Sequence, residues 1–342
     1  MLREMVARPH RNGFPRWARD KRQVLVLSAD LTSSCEADLF RQAYPDRFFS
    51  MGMAEQNMMG FAGGLAREGF YPFVHTFAVF ITRRAFDQVA MSIAYPNLPV
   101  RLLGFLPGLT TPGGVTHQAI DDIALMRAVP NMTVLACGDA TDVESVLDVA
   151  QSVPGPVYVR MLRGEVPRLF PASEHMRLGV PRLLGHGDDV TIFTSGICTE
   201  QGMMAAQALR AHGLGITHLH VSTIKPLEAA TVVDACEHTR CGVVVLENHS
   251  VVGGLGSAVA EVLAERGLGK RLVRLGVRDV YAHGASRPYL LRGYGLDAVA
   301  LVRAVEELVG EGPLGIDENS LLRAPERVTK PAEAEEGRVE DL

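Results

Sequence analysis

The chain has 342 residues, 47% of them hydrophobic, which suffices for about two domains that each bury a core. Its net charge of -5 and pI near 6.1 give no basis for binding nucleic acid or an anionic membrane. The five cysteines, at 35, 137, 198, 236 and 241, form no Cys-x-x-Cys pair, which argues against a disulfide framework or a zinc site and leaves no metal ligand to assign. Reduced thiols and a cytoplasmic location are expected. Met1–Arg22 lacks the apolar core of a secretory signal, and every apolar run is too short to span a membrane.

In chain order, residues 1–23 read as an N-terminal extension, with a basic, solvated stretch from Arg16 to Arg22. Short apolar runs then alternate with longer helical stretches. Val24–Leu27, Phe73–His75, Val100–Leu103, Thr133–Ala136 and Val157–Arg160 are expected as strands. Ala54–Arg67, Arg83–Ala94, Ile120–Ala128 and Ala140–Ser152 are expected as helices, the last with Asp139 as cap. The strand runs are continuous rather than alternating, which implies a parallel sheet covered on both faces. Residues 24–165 form the first domain on this reading.

Residues 166–187, in a stretch rich in Pro, Gly and Arg, read as a surface linker. A second unit, 188–310, repeats the pattern. Its expected strands are Val190–Thr194, Ile216–Val221, Gly242–Glu247 and Leu272–Leu275. Its expected helices are Glu200–His212, Leu227–His238, Gly256–Arg266 and Asp297–Val309. Residues 311–342 are polar and aperiodic, and read as a disordered acidic tail. The fold class is therefore α/β, with two doubly wound domains.

The common nucleotide motifs are missing. Gly254-Leu255-Gly256 lacks the third glycine of a dinucleotide fingerprint, and no phosphate-binding P-loop or Gly-x-Ser-x-Gly elbow occurs. An oxidoreductase of the same fold class thus has no fingerprint to support it. The segment from Met51 to Ala66 stands out instead. It has a helical pattern and is packed with small and apolar residues, yet it contains the carboxylate Glu55. Burying one carboxylate in such surroundings costs free energy unless a partner stabilises it, and such groups concentrate at functional sites. A plain first-turn glutamate favoured by the helix dipole is an equally good reading of these residues alone.

The stretch Glu55-Gln56-Asn57 resembles the glutamate helix of the transketolase family. In that family the glutamate hydrogen-bonds N1′ of the thiamine diphosphate aminopyrimidine and activates the cofactor, which then serves as an electron sink. Further matches follow in family order. Ser28-Ala29-Asp30-Leu31-Thr32 is similar to a segment that places Asp30 and Leu31 at the cofactor and Ser34 near a substrate phosphate. Phe77 and Phe80 resemble the Phe-x-x-Phe that packs on the aminopyrimidine. Thr116-His117-Gln118 resembles a turn whose histidine contacts substrate. Arg163, and more weakly Arg160, stand where a phosphate-binding arginine is found.

The resemblance runs from Val24 to Val309. It implies a thiamine-diphosphate pyrimidine-binding domain followed by a transketolase C-terminal domain. Full-length members also carry Gly-Asp-Gly and a later Asn that hold Mg²⁺ and the diphosphate. This sequence has no Gly-Asp-Gly, and too few residues precede Val24 to house that domain. The resemblance therefore implies a small subunit active only with a large subunit that binds the diphosphate and Mg²⁺, in an α₂β₂ assembly. The implied reaction moves a ketol group from a ketose to an aldehyde. Two positions depart from the family pattern: Gly113 replaces an aspartate, and Phe105 aligns with a histidine, which leaves pentose phosphates in doubt as substrates. The β subunit of a 2-oxoacid dehydrogenase E1 and a non-catalytic structural subunit are the alternatives. The first typically has a Tyr-Met-Ser-Gly-Gly segment where Ala94-Tyr95-Pro96-Asn97 stands, and the second does not need Glu55, His117 and the Phe pair together.

Overall fold

The computed structural model describes residues 3–310, 312–322 and 327–329. The first domain is built on a seven-stranded sheet. Its parallel strands are β2 (Val24–Ser28), β3 (Phe48–Ser50), β4 (Tyr71–Phe77), β5 (Arg101–Phe105), β6 (Thr133–Ala136) and β7 (Val157–Met161). The order across the sheet is β3-β2-β4-β5-β7-β6, completed by β12 (Thr223–Lys225), an antiparallel edge strand that comes from the second half of the chain. The helices α3 (Glu55–Arg67), α5 (Asp122–Ala128) and α6 (Ala140–Ser152) follow strands and cover the sheet. Strands β2, β5, β6 and β7 are buried along their whole length, as continuous apolar runs require.

The second domain has a five-stranded sheet in the order β14-β13-β10-β11-β9. Its strands are β9 (Arg182–Gly185), β10 (Val190–Thr194), β11 (Ile216–His220), β13 (Gly242–Ser250) and β14 (Leu272–Val277), with β9 antiparallel at one edge. Helices α7 (Cys198–Ala211), α8 (Ala229–Glu237), α9 (Leu255–Glu265) and α11 (Ala298–Val309) pack around it.

Three segments differ from expectation. The N-terminal extension is part of the first domain. Its helix α1 (Pro9–Trp17) buries His10 and Phe14, and Phe14 stacks on Phe40. Before it, β1 (Arg3–Ala7) pairs antiparallel with β8 (Glu165–Pro167). The expected linker is pinned rather than loose. Asp139 Oδ2 accepts the N–H groups of Leu169 and Phe170, Thr141 Oγ1 donates to the Phe170 carbonyl, and Ser145 Oγ accepts from the Met176 N–H. Part of the expected disordered tail folds back: α12 (Glu318–Leu322) buries Leu321, and β15 (Arg327–Thr329) adds a parallel strand to β1. Residues 330–342 lie outside the described residues. Among the described residues no helix is long and apolar enough to cross a membrane.

Buried polar groups join the two domains. Asp142 Oδ2 accepts from the Gly138 N–H and from His220 Nε2, both at 2.9 Å, and Oδ1 accepts from Arg182 at 2.6 Å. Burial alone would raise the Asp142 carboxyl; His220 and Arg182 outweigh it and hold the carboxyl below its ordinary range. A second bridge joins Arg160 to Asp122 at 2.8 Å and to the Asn248 carbonyl at 2.9 Å.

Candidate active site

Every candidate residue except Arg160 follows the carboxyl end of a strand in the first sheet, the edge where open α/β folds place ligands. Asp30 and Leu31 follow β2, Glu55 lies after β3, Phe77 ends β4, His117 follows β5 and Arg163 follows β7. Asp30 is exposed and adopts a left-handed φ of 60°. Leu31 packs on the core.

Glu55 is the first residue of α3, only 1% exposed. Its Oε2 accepts from Arg84 Nη1 at 2.8 Å, and the Arg84 side chain is 45% exposed. The same arginine lies over the Phe80 ring, 4.2 Å from its centroid. Phe80 stacks on Phe77 at 5.8 Å and 27°. His117 meets both rings edge-on, at 5.9 and 5.6 Å. The structure thus brings Glu55, Phe77, Phe80 and His117 into one cluster, tied together by Arg84.

Sequence reasoning missed the segment that ties them. Phe80–Arg84 forms a π-helical turn, a feature that recurs at functional sites. Its two arginines diverge. Arg84 holds Glu55, while Arg83 pairs with Asp121 at 2.9 Å and donates to the Val115 and Gln118 carbonyls on either side of His117. The only signal was the Arg83-Arg84 pair three and four residues past Phe80. Gly113 lies close to His117: a Cβ there would stand 3.1 Å from the His117 Cβ, so a larger residue would press on His117.

A second cluster holds Ser34 and Arg163. Arg163 Nη1 donates to the Ser34 carbonyl at 2.6 Å. Arg163 also lines a cavity of about 280 Å³ at the domain boundary, together with Thr110, Thr111, Arg287 and Leu321. Arg160 is elsewhere. It is 2% exposed, and its Nε and Nη2 are spent on Asp122 and on the Asn248 carbonyl. Phe105 is also fully buried, packed against His75 and His10.

The first cluster fits the aminopyrimidine of thiamine diphosphate. It offers stacked aromatic faces for a flat heterocycle and a buried carboxyl group to hydrogen-bond a ring nitrogen. Among the described residues no group of three or more His, Cys, Asp or Glu is placed to hold a metal ion. Beyond this cluster α3 presents a bare stripe. Phe61 is 40% exposed, a Cβ on Gly60 or Gly64 would meet nothing within 4 Å, and Met53, two residues before the helix, is 79% exposed. The opposite face is tight: a Cβ on Gly63 would lie 2.5 Å from the Ser92 carbonyl oxygen.

Two parallel α/β domains carrying this cluster define the class. The transketolase pyrimidine-binding domain matches residues 10–168, and the transketolase C-terminal domain matches residues 180–301. The chain belongs to the transketolase family. It is similar to a transketolase family protein, y4mN, of Sinorhizobium fredii, with 40% identity over 291 residues, 84% of each chain. It is 38% identical to the 6-deoxy-6-sulfo-D-fructose transketolase subunit SqwH of Clostridium sp. over 293 residues, 85% of this chain and 90% of that one. Among solved structures, a split-gene transketolase described as an inactive β₄ tetramer superposes with a TM-score of 0.81 at 39% identity, over 89% of this chain and 98% of that one. The family uses thiamine diphosphate.

Proposed function

We propose that this chain is the small subunit of a split transketolase that moves a ketol group from a ketose donor to an aldehyde acceptor. The observation that carries the reading is Glu55, buried at the start of α3 beside the stacked Phe77 and Phe80, with His117 edge-on to both rings. Bound thiamine diphosphate supplies the nucleophilic carbon and the electron sink of the reaction. Glu55 hydrogen-bonds a ring nitrogen of the aminopyrimidine, and Phe77 and Phe80 seat the ring. Asp30 and Leu31 close the same strand edge. His117, held by Arg83 through its turn, orients the donor's hydroxyl groups. Arg163 and Ser34 hold an oxyanion at the far end of the substrate.

The partner is a large subunit that supplies the diphosphate and Mg²⁺ side of the site. Two lines support this. Similar proteins that are named subunit or split-gene transketolase are spanned over 90% and 98% of their length. The bare stripe runs along the outer face of α3, the helix that Glu55 opens, where a second chain would cover it. An α₂β₂ assembly satisfies a two-fold arrangement with two sites. The test is ketol transfer by the co-purified complex. Turnover in the complex that Glu55→Ala leaves untouched contradicts the reading and favours a non-catalytic subunit.

A further inference from the structure

The loop between β2 and the next helix contains an unusual glutamate. Glu36 is 3% exposed and adopts a left-handed φ of 56°, a conformation that side chains other than glycine rarely take. Such a residue persists only where its surroundings over-determine it. Here both carboxylate oxygens are used on backbone. Oε1 accepts the Gly164 N–H at 2.6 Å, and Oε2 accepts the Arg11 N–H at 3.2 Å. The Arg8 N–H in turn donates to the Gly164 carbonyl at 2.7 Å, so both backbone polar groups of Gly164 are held. Burial raises the Glu36 carboxyl, while the two N–H groups and the Arg8 and Arg163 charges oppose that rise.

The consequence falls on the neighbours. Glu36 sits two residues after Ser34, and its partner Gly164 directly follows Arg163. Arg163 Nη1 donates to the Ser34 carbonyl. One guanidinium N–H is therefore spent on direction rather than on a ligand. The clamp and this bond together close a small ring through Ser34, Glu36, Gly164 and Arg163. The same loop is tied down a second time, where Arg11 Nε donates to both Asp38 oxygens at 2.9 and 3.1 Å.

We propose that Glu36 is a positioning residue, which presets the separation of Ser34 and Arg163 so that the pair receives a phosphate or sulfonate end of the substrate without reorganising. This rests on the reading of Arg163 as the oxyanion contact. Pre-organised donors bind more tightly because little ordering is left to be done on binding. Glu36→Gln replaces one acceptor oxygen by an N–H₂ that cannot accept from a backbone N–H. That leaves one buried donor unmatched and frees one side of the clamp.

The experiment titrates inorganic phosphate into the co-purified complex by calorimetry. Wild type, Arg163→Ala, Glu36→Gln and the double variant are compared, with cofactor affinity and thermal midpoint measured on each. Methanesulfonate is titrated alongside and shows which oxyanion the pair prefers. Glu36→Gln is expected to weaken phosphate binding about tenfold, as loss of one buried hydrogen bond implies. The double variant is expected to bind no more weakly than Arg163→Ala alone, since Glu36 acts through Arg163. Cofactor affinity stays as in the wild type. If Glu36→Gln does not fold, Glu36→Asp, which keeps both acceptors on a shorter stem, is expected to show a smaller loss in the same assay. Unchanged phosphate binding in the Glu36 variant, additive losses, or a parallel fall in cofactor affinity overturns the positioning role. Unchanged binding in Arg163→Ala, or no binding by the wild type, overturns the reading of Arg163 instead.

Discussion

The seam between the two domains and the open face of α3 solve opposite problems. At the seam, Asp142, His220 and Thr199 are buried together with the partly buried Arg182, and the carboxylate is met from three directions. At α3, Glu55 is just as buried but is paired with a half-exposed arginine, and the outer face of the same helix turns Phe61 to solvent. Buried charge is tolerated at the seam because both domains supply its partners within one chain. The α3 face carries the groups of a site without the surface that would enclose them. On the proposed function, the polar junction keeps the chain folded and the open face of α3 receives the large subunit.

If the two regions divide stability and activity in this way, substitutions should separate the two. Glu55→Ala is expected to lower turnover of the complex on the order of 10²–10⁴-fold while leaving the thermal midpoint near that of the wild type. Asp142→Ala is expected to do the reverse. Removing one partner of a buried ion pair costs about 3–5 kcal/mol, visible in chemical denaturation, while the folded fraction turns over normally. A Glu55 variant that loses stability and activity together would erase the distinction.

A buried imidazole pair under α1 provides a pH handle on the closed part of the molecule. His10 and His75 approach Nε2 to Nε2 at 3.0 Å, and His75 Nδ1 faces the Phe73 carbonyl at 3.2 Å. One tautomer set satisfies both contacts: His75 donates from Nδ1, and His10 Nε2–H donates to His75 Nε2. Both rings are then neutral. Burial pushes His75 down to about 4 and lowers His10 as well. The unfolded chain takes up a proton at His75 near pH 6.5, before the folded chain does. Stability is therefore full above pH 6.5 and falls as pH drops toward 4, by on the order of 3 kcal/mol for His75. Urea denaturation at pH 7 and pH 4.5 checks this; a His75→Gln variant should show a flatter profile.

The smallest effect on the isolated chain is expected at α3. Gly64→Leu fills open space, so its denaturation midpoint should match the wild type, yet sedimentation should show loss of the complex with the large subunit. A variant that assembles normally would move the partner surface elsewhere.

The sheets were readable because their strands are continuous apolar runs, and α6 because Asp139 caps it through the Asp142 N–H at 2.8 Å. The Glu55, Phe77, Phe80 and His117 group was readable because each residue lies in a short local motif. What local pattern does not carry is pairing over long stretches of chain. β8 finds its partner in β1, and β12 crosses from the second half of the chain to β6. Helix α1 contains Gly13 and Pro15, poor helix formers that mask it, and it is held instead by Phe14 in the core. Arg84 was missed because its role depends on a π-helical turn. Glu36 was missed because nothing in its surroundings in sequence announces a left-handed carboxylate bound to two distant N–H groups.

The central claim is that the cofactor site is completed by a second chain. Thiamine diphosphate carries most of its charge on the diphosphate, which needs Mg²⁺ and oxygen ligands, whereas Glu55, Phe77 and Phe80 are proposed to address only its aminopyrimidine. Calorimetric titration of thiamine diphosphate with Mg²⁺, into this chain alone and into the co-purified complex, measures the difference directly. The account predicts weak, Mg²⁺-insensitive binding by the chain alone and tight, Mg²⁺-dependent binding by the complex; tight, Mg²⁺-dependent binding by the chain alone would contradict it.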